Sequence, residues 1–377
     1  MHIQTTAVQT LRDHEHGAVV PAVHLSSTFE LDPATSDGAY AYQRGANPTR
    51  AQLETVLAAL DGTRHGFAFA TGMAATSAAF SLLQTGDEVI LSASVYGGTY
   101  RYVDKVFASR GLTGRFVEDL DSLTDEDFTE HTRMVFVETP ANPTLRVTDL
   151  RRIIDLAHRH GALVVVDNTF MTPVLQRPLE LGADLVVQSA TKFLAGHSDL
   201  LAGVVTTRDD ALAERIALAQ KVFGGVLAPT DAFRLIQAIK TLPLRIERQQ
   251  ANAIALMDHL AGHDAVARIH RPGSHSENEA AVHASQAAGP GAVFSFELAD
   301  GIDRVRFLQA LRYPAFAVSL GGVESLICHP ATMTHEAMTP EARANAGIPD
   351  GLLRLSVGIE DAQDLLEDLD QALAAAR

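Results

Sequence analysis

Two polar clusters stand where apolar runs end. Leu163-Val164-Val165-Val166 runs into Asp167-Asn168-Thr169, and the next apolar run, Leu185 to Val187, runs into Gln188-Ser189-Ala190-Thr191-Lys192. A carboxylate and an amine therefore leave two strands at one rim, the edge where open α/β sheets bind ligands. Ala70-Thr71-Gly72-Met73-Ala74-Ala75 adds a strand-to-helix turn whose free N–H groups suit a phosphate. Tyr96, in Val95-Tyr96-Gly97-Gly98-Thr99-Tyr100, offers an aromatic face shortly after another strand. Each feature alone has an ordinary reading: a strand-end Asp caps a turn, a lysine is solvated, a tyrosine is half-buried. Together they match what pyridoxal phosphate needs, which is a lysine to hold its aldehyde carbon, a carboxylate to keep its ring nitrogen protonated, a phosphate cradle and a stacking face. No Gly-x-x-x-x-Gly-Lys-Ser/Thr and no Gly-x-Gly-x-x-Gly accompanies the turn, against a nucleoside triphosphatase or a dinucleotide enzyme.

The elements that must position these residues alternate. Asn47-Pro48 opens a helix with Leu53, Val56, Leu57 and Leu60 on one face, and Asp61-Gly62 stops it. Strands follow at 88–91, 134–137, 163–166 and 185–187, with a helix through Leu150, Ile153, Ile154 and Ala157 between them. This alternation predicts α/β architecture with a mostly parallel sheet, and the all-apolar run 163–166 predicts a central strand covered on both faces. Helices near 208–222 and 230–262 lead to strands at 292–297 and 353–357 and a terminal helix carrying Leu365, Leu366, Leu369 and Leu373, a smaller α+β unit. The expected division is an extended arm over 1–48, a large cofactor-binding α/β domain over 49–240 and a smaller domain over 241–377.

The 377 residues suit about two domains, and 46% hydrophobic with 20% charged residues is ordinary globular usage. Lys and Arg number 30 against 46 Asp and Glu, a net charge of −16, which argues against nucleic acid as a partner. The segment Met1 to Glu15 lacks the apolar core of a signal peptide, and no apolar run is long enough to span a membrane. Cys328, the single cysteine, can form no internal disulfide, and with these features it predicts a cytoplasmic protein. The closest histidine groups, His14-Glu15-His16, His329 and His335-Glu336, lack metal-ligand spacing, so no metal is expected. Cys328 between apolar residues reads as a buried structural thiol, Glu324 as either a pocket carboxylate or a loop brace, and Asp119 to Glu130 as a solvated face.

The ordered set Tyr42-Gln43-Arg44, Thr71-Gly72-Met73, Tyr96-Gly97-Gly98, Glu138-Thr139-Pro140-Ala141-Asn142-Pro143-Thr144, Val166-Asp167-Asn168-Thr169, Gln188 to Lys192, Ser319-Leu320-Gly321-Gly322 and Arg354 to Gly358 resembles the cysteine/methionine-metabolism family of pyridoxal-phosphate enzymes, from about residue 5 to the C-terminus. The resemblance implies the pyridoxal-phosphate-dependent transferase fold of type I, aspartate-aminotransferase-like. It implies that Lys192 bears the cofactor and moves protons, that Asp167 pairs with the ring nitrogen, and that Gly72, Met73, Ser189 and Thr191 hold the phosphate. Tyr96 would stack on the ring and assist the leaving group; Asn142, Ser319 and Arg354 would orient the cofactor oxygen and the substrate carboxylate. Tyr42 and Arg44 resemble the pair that reaches the phosphate of a neighbouring subunit, which implies a homo-oligomer, a tetramer of active-site-sharing dimers.

The activity implied is cleavage of L-cystathionine and related sulfur amino acids by β- or γ-elimination. Gly98 stands where methionine γ-lyases of this family typically carry cysteine, and the chain has no tryptophan, which the enteric type of cystathionine β-lyase uses near its pocket. Val318 stands where many γ-specific members have glutamate. The alternatives are methionine γ-lyase, γ-replacement by a cystathionine γ-synthase or O-acetylhomoserine sulfhydrylase, and, more remotely, an inactive binding protein of the same fold.

Overall fold

Asn47 starts the first long helix, Pro48–Leu60, by accepting the N–H groups of Thr49 at 2.9 Å and Arg50 at 3.3 Å on its side-chain oxygen, with proline at the first helical position. The chain then builds seven strands: β1 (His65–Phe69), β2 (Glu88–Ser92), β3 (Thr113–Val117), β4 (Thr132–Glu138), β5 (Leu163–Asp167), β6 (Leu185–Gln188) and β7 (Gly203–Thr207). They form one sheet in the order β1-β7-β6-β5-β4-β2-β3, so β5 is central. From β3 through β6 every pair is parallel, and β7 runs antiparallel to both β6 and β1. The structure, a computed structural model, describes residues 1–11, 17–334, 336, 339–345 and 347–377.

Burial on both faces follows from the pleat. Val165 enters the apolar cluster around helix Gly72–Phe80, whereas Val164 and Val166 enter the one around Ile153 and Ile154 of helix Leu150–Arg159. Five further strands, β8 (Val266–His270), β9 (Val293–Leu298), β10 (Ala315–Phe316), β11 (Leu326–Cys328) and β12 (Leu352–Ser356), form a second sheet in the order β10-β11-β12-β9-β8. Helices Leu242–Leu260 and Ala362–Ala375 cover it through Leu256, Leu260, Leu369 and Leu373.

Three expectations need correction. The arm is not extended throughout, because Ile3–Gln9 is helical and Ala7 joins the core of helix Pro48–Leu60. The expected helix over 230–262 is two, Pro229–Ile239 and Leu242–Leu260, since Pro243 cannot continue a helix and instead sits in the first turn of the second. Strands β3 and β7 carry no expectation from the sequence, β1 is implied only by the strand-to-helix turn at 70–75, and β7 breaks the parallel order.

Candidate active site

Parallel strands bring their carboxyl ends to one rim, and the site grows there. Glu138 closes β4 and Asp167 closes β5, opposite one another in the ladder, and Ser189 follows the last residue of β6. Helix Gly72–Phe80 points its N-terminus at the same rim, and Arg354 of β12 and the loop at 318–320 close it from the second sheet. The cavity, about 420 Å³, is lined by Lys192, Tyr96, Asp167, Gly72, Met73, Ser189, Thr191, Asn142, Arg354, Ser319 and Val318, joined by Glu138, Gly98, Arg101, Thr169 and Met333 among others. Tyr42 and Arg44 do not line it: Tyr42 is 52% exposed, and Arg44 donates to the carbonyl of Lys221 at 2.7 Å. Tyr96 is 43% exposed at the mouth.

Hydrogen bonds link the chemistry-bearing side chains. Lys192 Nζ donates to Ser319 Oγ at 2.8 Å, and Arg354 donates to Asn142 Oδ1 at 2.7 Å and to the Ser319 carbonyl at 2.8 Å. Ser319 holds φ at 92°, a left-handed backbone that only a well-anchored side-chain-bearing residue keeps. Burial, and secondarily the Arg354 charge, lowers the Lys192 pKa to about 8. Asp167 accepts from the N–H of Thr169 at 3.0 Å and its hydroxyl at 2.5 Å, both on Oδ1, so it caps its turn and also lines the cavity. Burial raises the Asp167 pKa, and burial followed by the Asp167 charge pushes Glu138 up to about 8.

These residues fit pyridoxal phosphate. Thr71 caps the helix by accepting from Ala74 N–H at 3.0 Å, while the N–H groups of Gly72 and Met73 keep no protein partner among the described residues and point an anion site at the rim. A Cβ on Gly72 would lie 2.9 Å from Ser189 Oγ, so glycine is what lets the cradle's two halves meet. The half-buried Asp167 carboxyl and an amine of depressed pKa complete the donor set. Among the described residues no group of three or more His, Cys, Asp or Glu is arranged to hold a metal; His14-Glu15-His16 and His335 lie outside them. Cys328 is buried, Glu324 is exposed and away from the cavity lining, and within the acidic 119–130 stretch burial lifts the Asp121 carboxyl to about 6, so that face is not wholly solvated.

Glu138 was overlooked as a site residue, although it opens the quoted Glu138-Thr139-Pro140 motif. Its signal was the strand end it shares with Asp167, legible only once β4 and β5 are paired.

A family profile described as Cys/Met metabolism PLP-dependent enzyme matches residues 4–374. The chain is 45% identical over 358 residues to the cystathionine beta-lyase MetC of Bacillus subtilis (strain 168), covering 95% of this chain and 92% of that one. It is 45% identical over 380 residues to the L-methionine gamma-lyase of Pseudomonas putida, covering 97% and 94%. The crystal structure of cystathionine gamma-lyase from Lactobacillus plantarum complexed with L-serine superposes with a TM-score of 0.97 at 39% identity, covering 100% and 99%.

Proposed function

We propose that this chain, which belongs to the Cys/Met metabolism PLP-dependent enzyme family, is a carbon–sulfur lyase acting on L-cystathionine and related sulfur amino acids to give a 2-oxo acid, ammonia and a thiol. One observation carries the reading: an amine of lowered pKa, the Asp167 carboxyl, a helix end free to hold an anion and a buried arginine face a single cavity. Relatives named as cystathionine lyases and as a methionine lyase support the reaction class at equal identity, so the choice among substrates rests on the residues themselves.

Lys192 would hold the cofactor, Asp167 its ring nitrogen, and Gly72, Met73, Ser189 and Thr191 its phosphate. Pyridoxal phosphate, when bound, supplies a ring that withdraws the electron pair left at the substrate Cα. Arg354, 2% exposed, clamps the substrate carboxylate with Asn142 beside it. Lys192 Nζ, able to shed its proton near pH 8, takes the Cα proton and can return one at the β or γ carbon. Ser319 Oγ holds that amine in place between transfers. Tyr96 at the mouth assists departure of the sulfur. Loss of the β-thiolate ends in pyruvate and homocysteine, and the γ route ends in 2-oxobutanoate and cysteine.

Val318, 59% exposed beside the cavity, offers no carboxylate for the distal amine of cystathionine, which supports mixed β and γ elimination over strict γ specificity. The reading extends to a cytoplasmic homotetramer of dimers that share active sites, with the 1–48 arm serving a neighbour. What supports sharing is that Tyr42 and Arg44 lie outside their own chain's cavity. The test is incubation of the cofactor-loaded protein with L-cystathionine, with L-methionine and with O-acetyl-L-homoserine plus sulfide, reading products by mass spectrometry. Pyruvate or 2-oxobutanoate from cystathionine is the expected result; intact cystathionine with methanethiol from methionine, or homocysteine from the ester, overturns the substrate.

A further inference from the structure

We propose that Glu138 is a positioning residue that fixes the separation of Tyr96 and Asn142 across the cavity, a role resting on the reading of that cavity as the cofactor and amino-acid site. Glu138 is 6% exposed, and its two oxygens serve different segments of chain. Oε2 accepts the N–H of Tyr96 at 2.8 Å, and Oε1 accepts the N–H of Asn142 at 3.1 Å. Tyr96 stands at the N-cap of helix Gly97–Val106, which has no side-chain cap of its own, so Glu138 supplies an acceptor oxygen at that helix start.

From Asn142 the network continues through Arg354 and Ser319 to Lys192, all by direct hydrogen bonds. Glu138 is thus the link that ties Tyr96, on one wall, to the arginine and lysine on the other. Packing alone does not call for a carboxylate here. A residue kept for volume would be apolar, whereas Glu138 sets a polar carboxyl group beside Asp167. Two N–H groups from separate segments are each met by a different carboxyl oxygen, whereas a glutamine puts an NH2 donor in the place of one of them.

The test compares wild type, Glu138→Gln and Glu138→Ala, each loaded with pyridoxal phosphate, by visible circular dichroism of the bound cofactor, thermal melting, and kcat and KM for L-cystathionine. Alanine is expected to alter the visible band and lower kcat/KM about 100-fold, divided between kcat through Tyr96 and KM through Asn142 and Arg354. Glutamine, keeping one acceptor, is expected to fall about tenfold. Wild-type band, kcat and KM in both variants overturn the proposal, and so does a lowered melting temperature with the band and kinetics unchanged. If alanine fails to fold, glutamine decides on the same readings. Should wild type leave cystathionine intact, the substrate reading fails while the circular dichroism still decides the role of Glu138.

Discussion

The role proposed for Lys192 depends on where it sits rather than on what it is. Burial takes its pKa from 10.5 to about 8, so in the cofactor-free chain the rate at which this amine captures a small aldehyde should rise with pH and level off above about 8; a midpoint at the ordinary lysine value in a mass-spectrometric labelling series would contradict it. Lys192→Ala should abolish both covalent cofactor attachment, read by its absorbance after gel filtration, and turnover. Gly98 makes a second case. A Cβ there would lie 2.4 Å from Tyr96 Cε1 and 3.0 Å from Met73 Sδ, so Gly98→Cys must push the Tyr96 ring out of place. We expect kcat for elimination to drop about tenfold or more, and a variant that instead gains methionine cleavage without loss on cystathionine would refute that geometry. Asp167 and Lys192 were legible from sequence because each ends an apolar run at a sheet rim. Glu138 was not, because a glutamate before Thr139-Pro140 reads as any polar strand end until the neighbouring strand lies beside it.

At the scale of elements, what escaped the sequence was direction and length. Strand β7 reads Gly203-Val204-Val205-Thr206-Thr207, two polar residues at its end, and nothing local states that it runs against β6 and β1. Strand β3 is partly exposed throughout and carries a glycine, which weakens its apolar signal. Helix Pro48–Leu60, by contrast, was legible to the residue because cap, proline and apolar face agree. Its far end carries a cost. Asp61 is buried between β6 and β7, accepting from Thr206 at 2.7 Å on Oδ2 while Oδ1 has no partner among the described residues, and burial raises its carboxyl from 3.8 to about 6. A folded pKa above the unfolded one means the charge costs stability above about pH 6, and the cost fades as pH falls towards 3.8. Asp61→Asn should therefore stabilise the fold at neutral pH, by at most about 3 kcal/mol, with the gain shrinking in acid. Equal melting temperatures at pH 7 would contradict this.

For the whole molecule, the −16 charge and the proposed sharing of sites make separate statements. The charge keeps copies apart unless a specific interface brings them together. Sharing predicts complementation: Arg44→Ala and Lys192→Ala chains, each impaired alone, should regain measurable cystathionine cleavage when unfolded and refolded together, since a mixed dimer holds one site free of both changes. No recovery, with mixed oligomers present by mass spectrometry, would mean that each site is complete within one chain. The Arg354 to Asn142 hydrogen bond, finally, joins residues 212 positions apart, whereas the anion-holding turn, the acid pair and the amine all fall between residues 71 and 192. Chains emerge from the ribosome N-terminus first and fold in that order. On the proposed roles, the parts that would capture the cofactor exist during synthesis before the arginine that would select an amino acid, so a chain cut short after its first sheet would hold a cofactor's partners with no means of choosing what the cofactor acts on.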